Sequence, residues 1–213
     1  MSDVAMVGAE KLESIWKPRS AWAGYARAGR HGRTGGEAGI TLTLRDEVGL
    51  ATLIVADGKE AALDRALEAS HGWSLPEAGR AALAGEEGLI WSGPGQWLAI
   101  AGTRRRLDGL ADAVTGLASV TDQSDGRALV RVSGPCAREM LSKGVAIDLH
   151  PRAFRAGSAA VTSIAHIGAQ LWQRDDAPTY DLAVARSFAG SFWSWLSHAA
   201  AEFGYGVEHG PGR

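Results

Sequence analysis

The stretch ITLTLRDEVGLATLIVADGKEAALDRALEAS, residues 40–70, decides the fold class. Apolar and polar residues alternate over 40–45, and an apolar run follows at 50–55, so each segment has the pattern of a strand. The turn residues 46–49 separate the two segments, and this spacing predicts a β-hairpin. Residues 59–70 then have the apolar spacing of a helix. The stretch therefore predicts a unit of two antiparallel strands followed by a helix.

A second unit of the same kind follows further along the chain. Apolar segments at 89–91 and 97–100 flank the turn Gly93-Pro94-Gly95, which is too rich in glycine for a helix. Thr103 can cap a following helix whose apolar positions have helical spacing, Leu107, Leu110, Ala111, Val114 and Leu117. The repeat of the unit favours antiparallel sheets over the strict strand–helix alternation of a nucleotide-binding fold.

The last third of the chain adds further strands and two helices. A short apolar strand at 128–132 precedes Ser133-Gly134-Pro135, where proline at the first helical position begins a helix that Gly144 ends. Segments 159–169 and 180–185 are predicted strands. The final helix carries one apolar stripe, made of Phe188, Phe192, Trp195, Leu196, Ala199 and Phe203.

These elements predict an α+β protein with two lobes of antiparallel sheet and helices on one face of each. We expect an N-terminal arm with a glycine-rich connector at 1–38, a first lobe at 39–118 and a second lobe at 119–213, with interleaving of the lobes left open. A chain of 213 residues is long enough for a sizeable core, because it buries roughly 70% of its unfolded surface on folding.

Composition excludes several classes of function. A net charge of −2 gives no basic field for nucleic acid or an anionic membrane, and no run of 18 apolar residues predicts a membrane span. One cysteine excludes an internal disulfide framework and a multi-cysteine metal site, and fits a reducing cytoplasm. The six histidines form no i,i+4 ligand pair, so no metal site is expected.

Sequence motifs give no catalytic constellation, and we expect no catalytic residue in this chain. The P-loop, the dinucleotide fingerprint and the nucleophile elbow are absent. Cys136 could be a reactive thiol at a helix start, but packing under a strand is favoured. Asp122 and Asp125 could do acid–base work, but turn chemistry explains the same residues and is favoured. His166 is interpreted as a core or sheet-face residue.

Two groups of residues are candidates for contact with a partner. The chain has eight tryptophans, and we expect Trp16 and Trp22 to dock on the body of the protein or on another chain. Trp193 lies at the rim of the last helix's apolar stripe and could anchor an interface. Arg104, Arg105 and Arg106 would open a helix, where cations are unfavourable; they invite an anionic partner or are simply solvated.

Three segments of the chain resemble a known family. They are VTDQSDGRALVRVSGPCAREMLSKGVAIDLHPRAF (120–154), TSIAHIGAQLWQRD (162–175) and YDLAVARSFAGSFWSWLSHAAAEFGYGV (180–207). In the order of their motifs they are similar to the gamma-subunit family of heterotetrameric sarcosine oxidases. The V-S-G-P-x-A stretch is also similar to the folate-binding aminomethyltransferase superfamily, which includes the T-protein of glycine cleavage.

The resemblance implies ferredoxin-like plaits related to the folate-binding part of T-protein. It implies alpha, beta and delta partner subunits that bind FAD, FMN, NAD and tetrahydrofolate, whereas the gamma chain holds no cofactor. Sarcosine would be demethylated oxidatively to glycine by those partners. Asp122 matches the acid of the T-protein D-x-S pattern and is the one folate candidate, although Cys136 stands where an acid usually follows G-P.

The sequence thus predicts a non-catalytic, cytoplasmic subunit of a sarcosine oxidase, with a structural role in assembly. A stand-alone folate-binding or aminomethyltransferase-like protein that uses Asp122 is the first alternative. A general adaptor, with its arginine triplet against an acidic partner, is the second. Tetrahydrofolate affinity would identify the first alternative, and a steep salt dependence of binding would identify the second.

Overall fold

The computed structural model describes residues 19–33 and 35–210, which form two β-sheets and four α-helices. The large sheet has seven strands in the order β1 (Gly29–His31), β12 (Tyr205–His209), β2 (Ile40–Leu44), β8 (Arg127–Ser133), β11 (Thr179–Ala185), β10 (Ile167–Asp175) and β9 (Ala159–Ile164). The small sheet has five, in the order β4 (Ala81–Ala84), β5 (Glu87–Gly93), β6 (Gln96–Ala101), β3 (Gly49–Val55) and β7 (Ala118–Asp122).

Neighbouring strands are antiparallel, except that β12 lies parallel to β2. The helices are α1 (Glu60–His71), α2 (Leu110–Ala113), α3 (Ala137–Ser142) and α4 (Ala189–Ala201). Two short 3-10 turns, Arg104–Leu107 and Arg186–Phe188, precede α2 and α4. The α+β class predicted from the sequence is confirmed.

The two sheets pack face to face, and helices cover their outer faces. Because side chains alternate along a strand, each central strand contributes to two cores. Leu129 of β8 packs between the sheets, whereas its neighbours Val130 and Ala128 pack against α3 and α4. In the small sheet, Leu98 faces the large sheet and Ala99 faces the core that α1 and α2 cover. The layers are therefore helices, sheet, sheet and helices.

The hairpin predicted for residues 40–55 is wrong. Strand β2 pairs with β12 and β8 in the large sheet, whereas β3 pairs with β6 and β7 in the small sheet. Residues 45–48 carry the chain from one sheet to the other, and the Arg45 amide donates to the Leu129 carbonyl on the way. Alternation of apolar residues predicts a strand but does not predict which strand pairs with it, so two strands that are adjacent in sequence need not form a hairpin.

The chain passes between the sheets a second time over residues 123–126, so the segments of the two sheets interleave along the sequence. Residues 49–122 form the small sheet, and the strands of the large sheet lie on both sides of that range. The lobe division at 39–118 and 119–213 stays a prediction.

The long helix predicted after Thr103 is also wrong. The chain forms one 3-10 turn, breaks at Gly109, which has a φ of 77°, and then forms only the four-residue α2. Gly49 explains how the turn fits, since a Cβ at that position would lie 2.9 Å from the Arg104 Cα. The 3-10 turn thus packs directly on the backbone of β3, and a continuous helix is not formed there.

Some other predicted elements are present as expected. Strands β5 and β6 form a hairpin with Trp91 opposite Trp97, and α4 buries Phe192 and Leu196 of the predicted stripe. Phe188, which was predicted in the same stripe, precedes α4 and is 50% exposed. The single strand predicted at 159–169 is wrong, because this segment is divided between β9 and β10, which form a hairpin with a tight turn where His166 has a φ of 67°.

Candidate functional site

Asp122, the folate candidate, is the last residue of the edge strand β7, and its side chain is 52% exposed. Its Oδ2 accepts hydrogen bonds from Arg104 Nε at 3.0 Å and Arg104 Nη2 at 2.9 Å. Its Oδ1 accepts one from the Ser124 amide at 2.8 Å. Burial raises the pKa of Asp122, but the hydrogen bonds from Ser124 and Arg104 outweigh it and leave this pKa below its ordinary value. Both oxygens are therefore engaged within the chain.

The arginine triplet lies in the 3-10 turn and on the surface. Arg104 holds Asp122 and also places its Nη1 2.8 Å from Asp125 Oδ2. Arg106 pairs with Glu87 at 2.8 Å, and Arg105 is exposed. The premise that three cations oppose the dipole of a helix is wrong, since a single 3-10 turn replaces that helix. Whether these arginines contact a partner stays a prediction, with Arg105 the one whose charge is not matched by an ion pair among the described residues.

The tryptophan candidates have different positions. Trp22 is 1% exposed, and its Nε1 donates to the Leu129 carbonyl at 3.1 Å. Its ring lies 5.9 Å from that of Trp193, measured between centroids, and Trp193 is 8% exposed. Trp22 therefore docks on the body of its own chain, and neither ring offers a large surface to a partner. Trp16 lies outside the described residues.

An ionic network that sequence reasoning missed joins the two sheets. Arg131 of β8 contacts Asp181 of β11 with Nε to Oδ1 at 2.8 Å and Nη2 to Oδ2 at 3.0 Å. The same Nη2 lies 2.8 Å from Oε2 of Glu86, in the turn between β4 and β5 of the small sheet. Asp181 is fully buried. A sequence signal exists, because Arg131 and Asp181 each interrupt an apolar strand.

Arg45 and Arg174 complete this network. Arg45 Nη2 lies 2.7 Å from Glu86 Oε2, and Arg174 Nη1 lies 3.3 Å from Asp181 Oδ2. Burial raises the pKa of Glu86, but the hydrogen bonds from Arg131 and Arg45 dominate and lower the pKa to about 2. Three cations thus share two carboxylates, and the network ties the large sheet to the small one.

Two depressions lie near the candidate residues. One of about 340 Å³ includes Asp122, Arg104 and Leu110, and no described residue in its wall is aromatic. The other, of about 290 Å³, opens where the chain passes between the sheets, and its wall includes Arg45, Ser124, Arg127 and Arg186. The described residues of the wall beside Asp122 therefore offer no aromatic ring on which a folate could stack.

The remaining sequence candidates have ordinary positions. Cys136 is a half-buried free thiol at the start of α3 and packs on the core of the large sheet. His166 is exposed in the turn between β9 and β10, so the interpretation as a core or sheet-face histidine is wrong. Across residues 19–33 and 35–210, histidine, cysteine, aspartate and glutamate form no group of three or more that could hold a metal ion.

Within the described part of the chain, no helix has the length and apolar character required to cross a membrane.

Comparison with known proteins gives consistent matches. The model of the family "Sarcosine oxidase, gamma subunit family" matches residues 55–202. Sarcosine oxidase subunit gamma of Corynebacterium sp. (strain P-1) is 34% identical over an alignment of 203 residues, and the match covers 90% of this chain and 94% of that protein. The protein of the same name from an Arthrobacter species is 34% identical over 197 residues, with the same coverage of both chains.

Solved structures agree with these sequence matches. A chain of the heterotetrameric sarcosine oxidase from Corynebacterium sp. U-96, in complex with pyrrole 2-carboxylate, matches with a TM-score of 0.71 and 31% identity, over 79% of this chain and 87% of that chain. The glycine cleavage aminomethyltransferase T of Bartonella henselae matches with a TM-score of 0.57 and 14% identity, over 81% of this chain and 48% of that chain. The second match shows the fold alone, and it confirms the predicted likeness in fold to T-protein. By its sequence and its fold, this chain belongs to the sarcosine oxidase gamma-subunit family.

Proposed function

We propose that this chain serves as the structural gamma subunit of a heterotetrameric sarcosine oxidase and has no catalytic residue of its own. The observation that carries the proposal is the match to gamma subunits over nine-tenths of both chains, together with the shared fold of a chain in that assembly. The candidate acids support the structural role. Asp122 and Asp125 are held by Arg104, and Asp181 is buried against Arg131, so these acids serve the chain's own surface and core.

The proposal assigns the chemistry to partner subunits, named alpha, beta and delta. Those partners would bind FAD, FMN, NAD and tetrahydrofolate and would demethylate sarcosine oxidatively to glycine. The gamma chain would contact the larger subunits and hold the assembly. A cytoplasmic location stays part of this proposal.

The alternative, a stand-alone folate-binding protein, has less support from the geometry. Asp122 lies on an edge strand, and both of its oxygens accept hydrogen bonds from Arg104 and Ser124. A folate at Asp122 would have to compete with Arg104 for Oδ2 and with the Ser124 amide for Oδ1.

Co-expression with the other subunits tests the proposal. We expect the chain to co-purify with them, to elute with the assembly in gel filtration, and to be required for its integrity. Sarcosine oxidation should be absent from the purified chain. A chain that stays monomeric beside the other subunits, or that oxidises sarcosine alone, would contradict the proposal.

A further inference from the structure

Strand β8 carries two arginines on the face that points toward the small sheet. Arg127 and Arg131 are four residues apart, so both share the side of the strand on which Leu129 packs between the sheets. The two guanidinium groups belong to the same strand and the same face. The counter-ions of these two half-buried cations can therefore be compared within one molecule.

The structure compensates Arg131 completely. Burial lowers the pKa of Arg131, but the hydrogen bonds to Asp181 and Glu86 dominate and raise this pKa above its ordinary value. The fork from Nε and Nη2 to the two Asp181 oxygens has distances of 2.8 and 3.0 Å. This is the bidentate geometry in which a guanidinium holds a carboxylate most strongly.

Arg127 has no such partner. Among the described residues no carboxylate forms an ion pair with it, and its Nε is buried without a hydrogen-bond acceptor. Burial lowers the pKa of Arg127, and no opposing charge offsets the effect. A partly desolvated charge that stays unpaired is unfavourable, so a missing counter-ion is the simplest physical reason for its presence.

Arg127 lines the cavity of about 290 Å³ between the sheets, and other cations share that wall. Arg186 makes no ion pair with the described residues and donates from Nη2 to the Arg19 carbonyl. Arg45 is 8% exposed, and its Nη1 is buried without an acceptor although its Nη2 pairs with Glu86. Arg45, Arg127 and Arg186 therefore share the wall of this cavity, and neither Arg127 nor Arg186 forms an ion pair with the described residues.

Three carboxylates also line this cavity, those of Asp46, Glu47 and Asp125. Asp125 pairs with Arg104 at 2.8 Å, and Asp46 Oδ1 accepts a hydrogen bond from the Ser20 hydroxyl at 2.6 Å. Neither Asp46 nor Asp125 forms an ion pair with Arg127 or Arg186. Their negative charge still disfavours a dianion such as phosphate and leaves room for a group with a single negative charge.

We propose that this cavity is a carboxylate-binding site, in which Arg127 and Arg186 hold a carboxylate that none of the described residues supplies. A planar carboxylate matches the guanidinium fork, as Asp181 does on Arg131. The carboxylate comes either from a small free acid or from an aspartate or glutamate of another subunit. The second source rests on the proposed function, whereas the first does not.

The experiment uses the full chain with Arg127→Gln, which keeps polarity and removes the charge. Arg65→Gln is the matched control, because Arg65 is exposed on α1 and makes no ion pair with the described residues. Glutarate is the free probe and is titrated by calorimetry. Association with the other sarcosine oxidase subunits is measured in parallel. Thermal unfolding of Arg127→Gln should occur at or above the wild-type temperature, since the change removes an uncompensated charge.

If the carboxylate comes from a small free acid, glutarate should bind the wild type and Arg65→Gln, and its affinity should fall at least about tenfold in Arg127→Gln. Subunit association should then be unchanged. If the carboxylate belongs to another subunit, Arg127→Gln should weaken association with the other subunits by about tenfold or more. Glutarate that does not bind at millimolar concentration, together with association insensitive to Arg127→Gln, overturns the site. If the wild type does not associate at all, the proposed function fails and the glutarate titration alone decides this inference.

Discussion

Asp181 is the buried acid of the ionic network, which reaches the small sheet through Glu86. It is fully buried in β11 and receives Arg131 and Arg174. An ion pair of this kind adds little net stability compared with well-packed apolar residues, but removing one member leaves the other charge buried and unpaired. The network therefore fixes how the sheets are arranged more than it raises the total stability.

Asp181→Asn should lower the free energy of unfolding by about 3 kcal/mol, because Arg131 loses its bidentate partner in a buried position. Urea unfolding followed by circular dichroism measures the change. Asp176→Asn is the control, since Asp176 is exposed in the neighbouring turn. Equal, small effects of the two substitutions would show that the buried Asp181–Arg131 pair is not critical for stability.

Glu86 predicts how stability depends on pH. Its pKa falls from 4.5 to about 2 on folding, so its contribution is fully present above pH 4.5 and is lost as the pH falls through about 2. The free energy of unfolding, measured from about pH 6 to about pH 2, should decline as the pH falls. The decline should be smaller in Glu86→Gln. A pH profile of Glu86→Gln identical to that of the wild type would contradict the assignment.

At the scale of elements, β3 and the arginine-bearing 3-10 turn form one packed unit. The turn lies on the backbone of β3 at Gly49, while Arg104 reaches from the turn to Asp122 at the end of β7. A short turn thereby links a central strand to an edge strand, and it does so through close backbone contact and one ion pair.

Gly49→Ala should destabilise the protein by about 1–3 kcal/mol, because the added Cβ would lie 2.9 Å from the Arg104 Cα and from the Thr103 carbonyl oxygen. Gly168→Ala is the matched control, since Gly168 is also in a strand and an added Cβ there meets no atom within 4 Å. Thermal unfolding of both variants checks the expectation. If Gly49→Ala lowers stability no more than Gly168→Ala does, the 3-10 turn can shift away from β3 without cost.

The sequence predicted an element correctly where the pattern of a single segment determines that element. The aromatic stripe of α4 and the Gly93-Pro94-Gly95 turn of the β5–β6 hairpin act within one segment, so the sequence contains all the information they need. The 40–55 hairpin failed because pairing of β2 with β8 and β12 depends on residues far along the chain. The helix after Thr103 failed because Gly109 and the contact at Gly49 outweigh apolar spacing.

The candidate site was less predictable than the fold. Asp122 and Arg104 were each noted from the sequence, but their mutual hydrogen bonds required β7 to lie beside β3. Arg131 and Asp181 were read as parts of apolar strands, and only the pairing of β8 with β11 places them together. Residue types suggest chemistry, but the register of distant strands determines which charges meet.

At the scale of the whole molecule, the alternative of a folate-binding protein can be separated from the structural role. Titration of the full chain with tetrahydrofolate should give no heat of binding at micromolar concentration, because Asp122 is held by Arg104 and its depression has no aromatic wall among the described residues. Calorimetry checks this directly. Micromolar affinity that Asp122→Ala abolishes would favour the folate-binding alternative over the structural subunit.

The interleaved order of the sheets also sets an order of events during synthesis. All five strands of the small sheet lie within residues 49–122, so that sheet is complete in the nascent chain while translation continues. The large sheet cannot close until Tyr205–His209 has left the ribosome, because this last strand fits between β1 and β2 near the beginning of the chain. Strand β2 can pair with β8 once residues 127–133 have been made, but its edge toward β12 stays unpaired until residues 205–209 follow.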